Sequence, residues 1–71
     1  MMTKIRIREA HKPFIEKNEG GDMRIRNRYC IEVLICRRWS FLGDDSGMYK
    51  FATREERDAK MAELRATGVV I

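Results

Sequence analysis

The chain has little proline, histidine or tryptophan, one of each in 71 residues, and only two cysteines. A single proline and five glycines exclude collagen-like and proline-rich low-complexity chains. Zinc needs four clustered ligands; Cys30, Cys36 and His11 fall short of that and show neither CxxC nor HxxxH spacing. No metal site is expected. Cys30 and Cys36 lie in a run that reads as one strand, which would hold their α-carbons roughly 20 Å apart. That spacing excludes a disulfide within the strand, and unpaired thiols fit a reducing compartment. Long apolar runs are also missing. None approaches the ~20 residues of a membrane span, and the leading MMTKIRIREA lacks the apolar stretch of a signal peptide. A cytoplasmic protein with no membrane partner is expected.

Groups for catalysis are equally sparse. His11 sits beside Lys12 with no motif that brings it to a cysteine, and a nucleophile needs a base within reach. Asp44-Asp45 suits a turn, and Glu55-Glu56 suits a helix start, where carboxylates meet the positive end of the helix dipole. Neither Gly20-Gly21 nor Gly43 and Gly47 is followed by the Lys-Ser/Thr of a phosphate loop. The expectation is therefore no enzyme, no catalytic residue and no cofactor.

What the chain does have is charge. Lys and Arg number 15 against 11 Asp and Glu, for a net charge of +4, and 37% of residues are charged, against ~25% in ordinary domains. The hydrophobic content of 44% excludes a disordered tail. Residues 1–71 are expected to form a single domain, whose small core supplies only about 3–5 kcal/mol. A homodimer would supplement that.

Lys4 to Glu9 alternates basic and apolar side chains, the pattern of a half-buried strand. Residues 10–23 hold Pro13 and the polar run Lys17 to Asp22, and read as a flexible loop with Phe14 and Ile15 against the core. From Arg24 to Trp39 runs the longest extended signal. One parity carries Ile25, Tyr29, Ile31, Val33, Ile35 and Trp39 and is assigned to the core; the other carries Arg24, Arg26, Arg28, Cys30, Glu32, Leu34, Cys36 and Arg38. The middle of that second face is apolar and needs cover, from Phe14 and Ile15 or from a second subunit. Ser40 to Gly47 reads as a turn, and Met48 to Ala52 as a third strand that adds Tyr49 and Phe51 to the core.

Thr53-Arg54-Glu55-Glu56 matches a capping box and predicts a helix over 54–66. Ala59, Met61, Ala62 and Leu64 would face the sheet; Arg54, Glu55, Asp58 and Arg65 would face water. Gly68 would sit just past the helix end, with Val69 to Ile71 as a short closing strand. The predicted fold is α+β: a single three- to four-stranded, mostly antiparallel sheet with one helix on one face, in β-β-β-α-β order.

Residues 1–38 hold 10 Lys and Arg against 5 Asp and Glu, whereas residues 39–71 hold 5 against 6. The positive excess therefore lies on the first strands, where Arg6, Arg8, Arg24, Arg26, Arg28 and Arg38, with Lys4, would form one basic face. Such a face attracts phosphates or an acidic protein. Outward arginines also protect a strand from aggregation. Leu34, Cys36, Phe41 and Leu42 form a candidate apolar interface, with Phe41 in the turn as an exposed anchor. The expected function is a small non-catalytic accessory or inhibitor protein that docks its basic sheet face onto a protein target, such as nucleic-acid-handling machinery. The alternative is a DNA- or RNA-binding module that uses the Arg24/Arg26/Arg28 face.

Tyr29 to Leu64, about half the chain, joins an alternating strand and an aromatic second arm to a Thr-capped helix, FATREERDAKMAEL, with a Glu-rich first turn. This stretch resembles the arm-type DNA-binding domains, three strands and a helix, at the N-termini of phage integrases. The resemblance implies a sheet that enters the major groove through Arg26, Arg28 and Arg38. Where that family commonly carries basic residues at the hairpin tip, this chain has Gly43-Asp44-Asp45-Ser46-Gly47. In size the chain is also similar to small phage or prophage accessory proteins, including inhibitors of host defence complexes.

Overall fold

The computed structural model describes residues 4–71. Extended backbone dominates the first half of the chain. Strand β1 spans Ile7–Lys17 and β2 spans Met23–Ile35, antiparallel from Ile7 opposite Val33 to Lys17 opposite Met23. The expected loop over 10–23 is therefore strand as far as Lys17, and the reversal is confined to residues 18–22. There the Asn18 side chain accepts from the Asp22 N–H at 2.9 Å, and Gly21 takes a φ of 86°. Pro13 does not break β1, because of where its missing N–H would point. The Arg6 carbonyl accepts from Leu34 of β2, while the Ile7 N–H turns the other way, to Ile71. By alternation the nitrogen of residue 13 also faces away from β2, the one side on which a strand tolerates proline.

The long run from Arg24 to Trp39 is not one strand. It turns back at Cys36 and Arg37, and β3 (Arg38–Phe41) returns along β2 with Ile35 opposite Arg38 and Leu34 opposite Trp39. Both turn residues have positive φ, 50° and 66°, the signature of a two-residue type I′ hairpin. Such a turn exchanges parities, so even residues of β3 share a face with odd residues of β2. Trp39 therefore lies on the face of Leu34, opposite to the core face expected for it. The expected third strand over 48–52 is replaced by β3 and a small hairpin, β4 (Gly43–Asp44) with β5 (Gly47–Met48). Gly43 is obligatory in that hairpin, since an added Cβ would run into the Gly47 carbonyl and the Met48 backbone. The chain then rejoins β2, where Tyr29 and Phe51 exchange backbone hydrogen bonds of 2.9 and 2.8 Å.

Helix α1 spans Arg54–Ala66, the limits its sequence signals predict. The Thr53 hydroxyl accepts from the Glu56 N–H at 3.2 Å and donates to the Glu56 carboxylate at 3.0 Å, and Gly68 follows the Thr67 cap with a φ of 78°. Val70 bridges Ile5 in parallel, closing the sheet beside β1. The result is a small α+β fold, as read from the sequence: a three-stranded antiparallel sheet, with a second two-stranded sheet and one C-terminal helix.

The core lies on the odd face of the first two strands: Ile7, Ile31, Val33 and Met61 are buried, with Leu42, Tyr49, Phe51, Leu64 and Val70 packed around them. Met61 and Leu64 contact the sheet as expected, but Ala59 and Ala62 are exposed, and the helix instead buries Arg57. The Arg57 guanidinium donates to the Ala10 carbonyl at 3.2 Å and pairs with Glu9 at 3.4 Å and Asp58 at 3.0 Å, so its buried charge is met. A 13-residue helix is about 20 Å long, whereas a 13-residue strand reaches about 43 Å. The helix can cover only part of the sheet. The rest projects, giving overall dimensions of 51 × 25 × 21 Å and a radius of gyration of 13.9 Å, against about 11 Å for a compact chain of this length.

Candidate binding site on a projecting two-stranded arm

Beyond the pair formed by His11 and Tyr29, β1 and β2 continue with no third strand paired to them, as far as Lys17 opposite Met23. This arm is about 20 Å long. Its base is fixed by the rings of His11 and Tyr29, which stack with centroids 4.2 Å apart and planes within 1° of parallel, and by Arg57, whose guanidinium lies 5.3 Å from the Tyr29 ring.

The pairing register assigns each arm residue to a face. Lys12 stands opposite Arg28, Phe14 opposite Arg26 and Glu16 opposite Arg24, all on the even face. The odd face carries Pro13 opposite Asn27, Ile15 opposite Ile25, and Lys17 opposite Met23. Ile15, Met23 and Ile25 are 70%, 61% and 74% exposed. Odd parity was expected to point into the core along the whole run; it does so only where the helix lies over it.

On the even face the arginines divide by what meets them. Arg28 donates twice to Glu16, at 2.7 and 3.0 Å, a bidentate pair. That bond holds the Glu16 carboxyl below its usual range and the Arg28 guanidinium above its own. Arg8 donates to Glu32 at 2.9 Å and lies 4.1 Å from the Trp39 ring. Among the described residues Arg24, Arg26 and Lys12 have no carboxylate within ion-pair distance. Arg6 shares this parity at the far end of the sheet, opposite Leu34, and Arg38 belongs to the other face because it stands opposite Ile35. The proposed basic face is thus split: among the described residues Arg6 and Arg38 are also unpaired but stand apart, and only on the arm do unpaired cations, Lys12, Arg24 and Arg26, lie together.

The apolar cover expected for the middle of this face comes from within the chain. Phe14 lies 5.8 Å from Phe41, and the Lys50 ammonium is 4.9 Å from the Phe14 ring. Cys30 is fully buried there, and burial pushes its thiol pKa up; Cys36 is exposed in the turn, and both thiols are free. The candidate interface of Leu34, Cys36, Phe41 and Leu42 does not assemble. Leu34 and Phe41 lie on the even face, Leu42 packs against the core, and Cys36 is in the turn. Tyr49 and Phe51 join the core as expected.

A loop over 10–23 hides Lys12, Glu16 and Met23, which belong to the arm, and Ile15, expected against the core, is exposed there instead. Their signal was present: turn formers Asn18 to Asp22 lie midway between two extended-compatible segments, with an isoleucine on each side. Among the described residues no helix is long and apolar enough to cross a membrane. Among the described residues no three His, Cys, Asp or Glu side chains come together as metal ligands. Comparison with family models, curated proteins and solved structures finds no match.

Proposed function

We propose that this protein is a non-catalytic binding module that docks its projecting arm onto an acidic, partly apolar region of a protein target. The observation that supports this is the composition of the arm's two faces: Lys12, Arg24 and Arg26 without carboxylate partners on one, and exposed Ile15, Met23 and Ile25 on the other. An isolated two-stranded ribbon is marginal in water. Apolar side chains held out on such a ribbon gain about 25 cal/mol for each Å² that a partner covers. The cations add steering and select against basic surfaces.

A nucleic-acid reading has one observation in its favour, the row of Lys12, Arg24 and Arg26 along a two-stranded ribbon, since such a ribbon fits a major groove. Glu16 within the row and Glu19 and Asp22 at the tip oppose phosphate, and phosphate offers nothing to the apolar face. The test is affinity capture from host lysate with and without nuclease, using wild type, Arg24→Glu/Arg26→Glu and Ile15→Ser/Ile25→Ser. These residues lie outside the core, so each variant should retain the wild-type thermal melt. A protein retained after nuclease and lost with both variants is the expected result. Retention indifferent to both variants refutes the proposal, and retention abolished by nuclease favours the alternative.

A further inference from the structure

The arm has two long edges, and they are not equivalent. In β2, Tyr29 directs its N–H and C=O sideways to Phe51, and Ile31 its C=O to Leu42. By strand alternation Asn27, Ile25 and Met23 direct theirs to the same side, beyond the point where the chain leaves the sheet at Phe51 to enter the helix cap at Thr53. Among the described residues nothing bonds to the backbone groups of Ile25 and Asn27 on that side. The opposite edge of the arm, on β1, has Pro13 in its middle and lacks a donor there. Exposed edges normally recruit another strand unless something prevents it.

We infer that the β2 edge from Met23 to Asn27 accepts an extended segment of a protein partner in which acidic and apolar residues alternate, adding one strand to the sheet. This rests on the protein-docking reading above and supplies its mode and partner chemistry. Side chains directly across a strand pair lie ~4.5–5.5 Å apart, so the incoming segment's even-face positions fall beside Arg24 and Arg26 and its odd-face positions beside Met23 and Ile25. Carboxylates suit the first set and apolar side chains the second. A second copy of the chain does not suit them. Every even-face residue of this edge is an arginine, so two β2 edges paired antiparallel with their outward groups bonded set arginine against arginine in any register. The same row therefore rejects its own copy and favours an acidic strand.

The probe is a fluorescein-labelled peptide, Glu-Val-Glu-Ile-Glu-Val-Glu, with a sign-reversed Lys-Val-Lys-Ile-Lys-Val-Lys control, followed by anisotropy at low and high salt. Amide hydrogen exchange on the wild-type protein gives a second readout. The expected result is salt-sensitive binding of the acidic peptide alone, with new protection at the amides of Ile25 and Asn27. The amides of Arg24 and Arg26 already face β1 and should change little. Ile25→Pro removes an outward donor, as Pro13 does, together with the isoleucine side chain, so Ile25→Ser is the control: the proline variant should bind about tenfold or more weaker than the serine variant while the thermal melt persists. If Ile25→Pro fails to fold, exchange on wild type decides. Binding without protection at Ile25 and Asn27 overturns strand addition and leaves arm docking standing. So does absence of peptide binding while arm-dependent capture of a protein persists. Failure of both peptide binding and capture overturns both.

Discussion

Replacing Cys36-Arg37 by Asn-Gly is expected to stabilise the protein. Both residues hold positive φ, 50° and 66°, a conformation that costs a side chain with a Cβ about 1–2 kcal/mol. Asparagine visits this region readily and glycine without penalty. Against that gain, glycine loosens the unfolded chain by about 0.4–1 kcal/mol. The net is about 1 kcal/mol of added stability, a large share of the ~3–5 kcal/mol available to a domain this small. A change of that size raises Tm by about 4–8 °C in a 60–100-residue domain. Wild type and the double variant would be melted side by side under reducing conditions, so that loss of the exposed thiol does not enter. Urea titration should move the midpoint at constant slope. The sign is the discriminating feature. Were residues 24–39 one unbroken strand, Asn-Gly would interrupt it and cost about 1 kcal/mol. A lower Tm would therefore refute the hairpin.

Met61→Ala should remove most of the stability at 25 °C, because truncating a side chain 1% exposed costs about 2–5 kcal/mol; a circular-dichroism melt that moves only slightly would show the helix is not docked through it. Acid should release the arm's ion pair. The Arg28 hydrogen bonds lower the folded pKa of Glu16 from its ordinary 4.5, so their contribution is full above about that pH and is lost as pH falls through the lower folded value. The carboxyl carbon shift of Glu16 should titrate below 4.5, and Arg28→Ala should bring the midpoint back towards it; an unperturbed midpoint in wild type would show that the pair does not form in solution.

Some of this architecture is local and could be read without coordinates. Thr53 with Glu56 three residues on, strong helix formers to Ala66 and a glycine at 68 define the helix because each acts through its own few neighbours. Even-position arginines alternate with odd-position isoleucines, so their opposite faces on the arm are legible from period two alone, although the expected burial of Ile25 does not follow from it. The errors have a common character. A two-residue turn at Cys36-Arg37 exchanges the parity of everything after it, yet neither residue is the glycine or asparagine that advertises such a turn, and Trp39 was assigned to the wrong side. Pro13 argued for a loop because its tolerated place, with the nitrogen on a free edge, depends on which way the strand is hydrogen-bonded.

By itself, the sequence determined the α+β class, the helix limits, the alternation of arginine with isoleucine and the excess of positive charge in the first half. The tertiary structure alone decided where the chain reverses, which arginines meet carboxylates and how far the core extends. Residue spacing sets the period of a strand but not its partner. Burial of Ile31 and exposure of Ile25, on the same strand and the same face, follow from a helix too short to cover both.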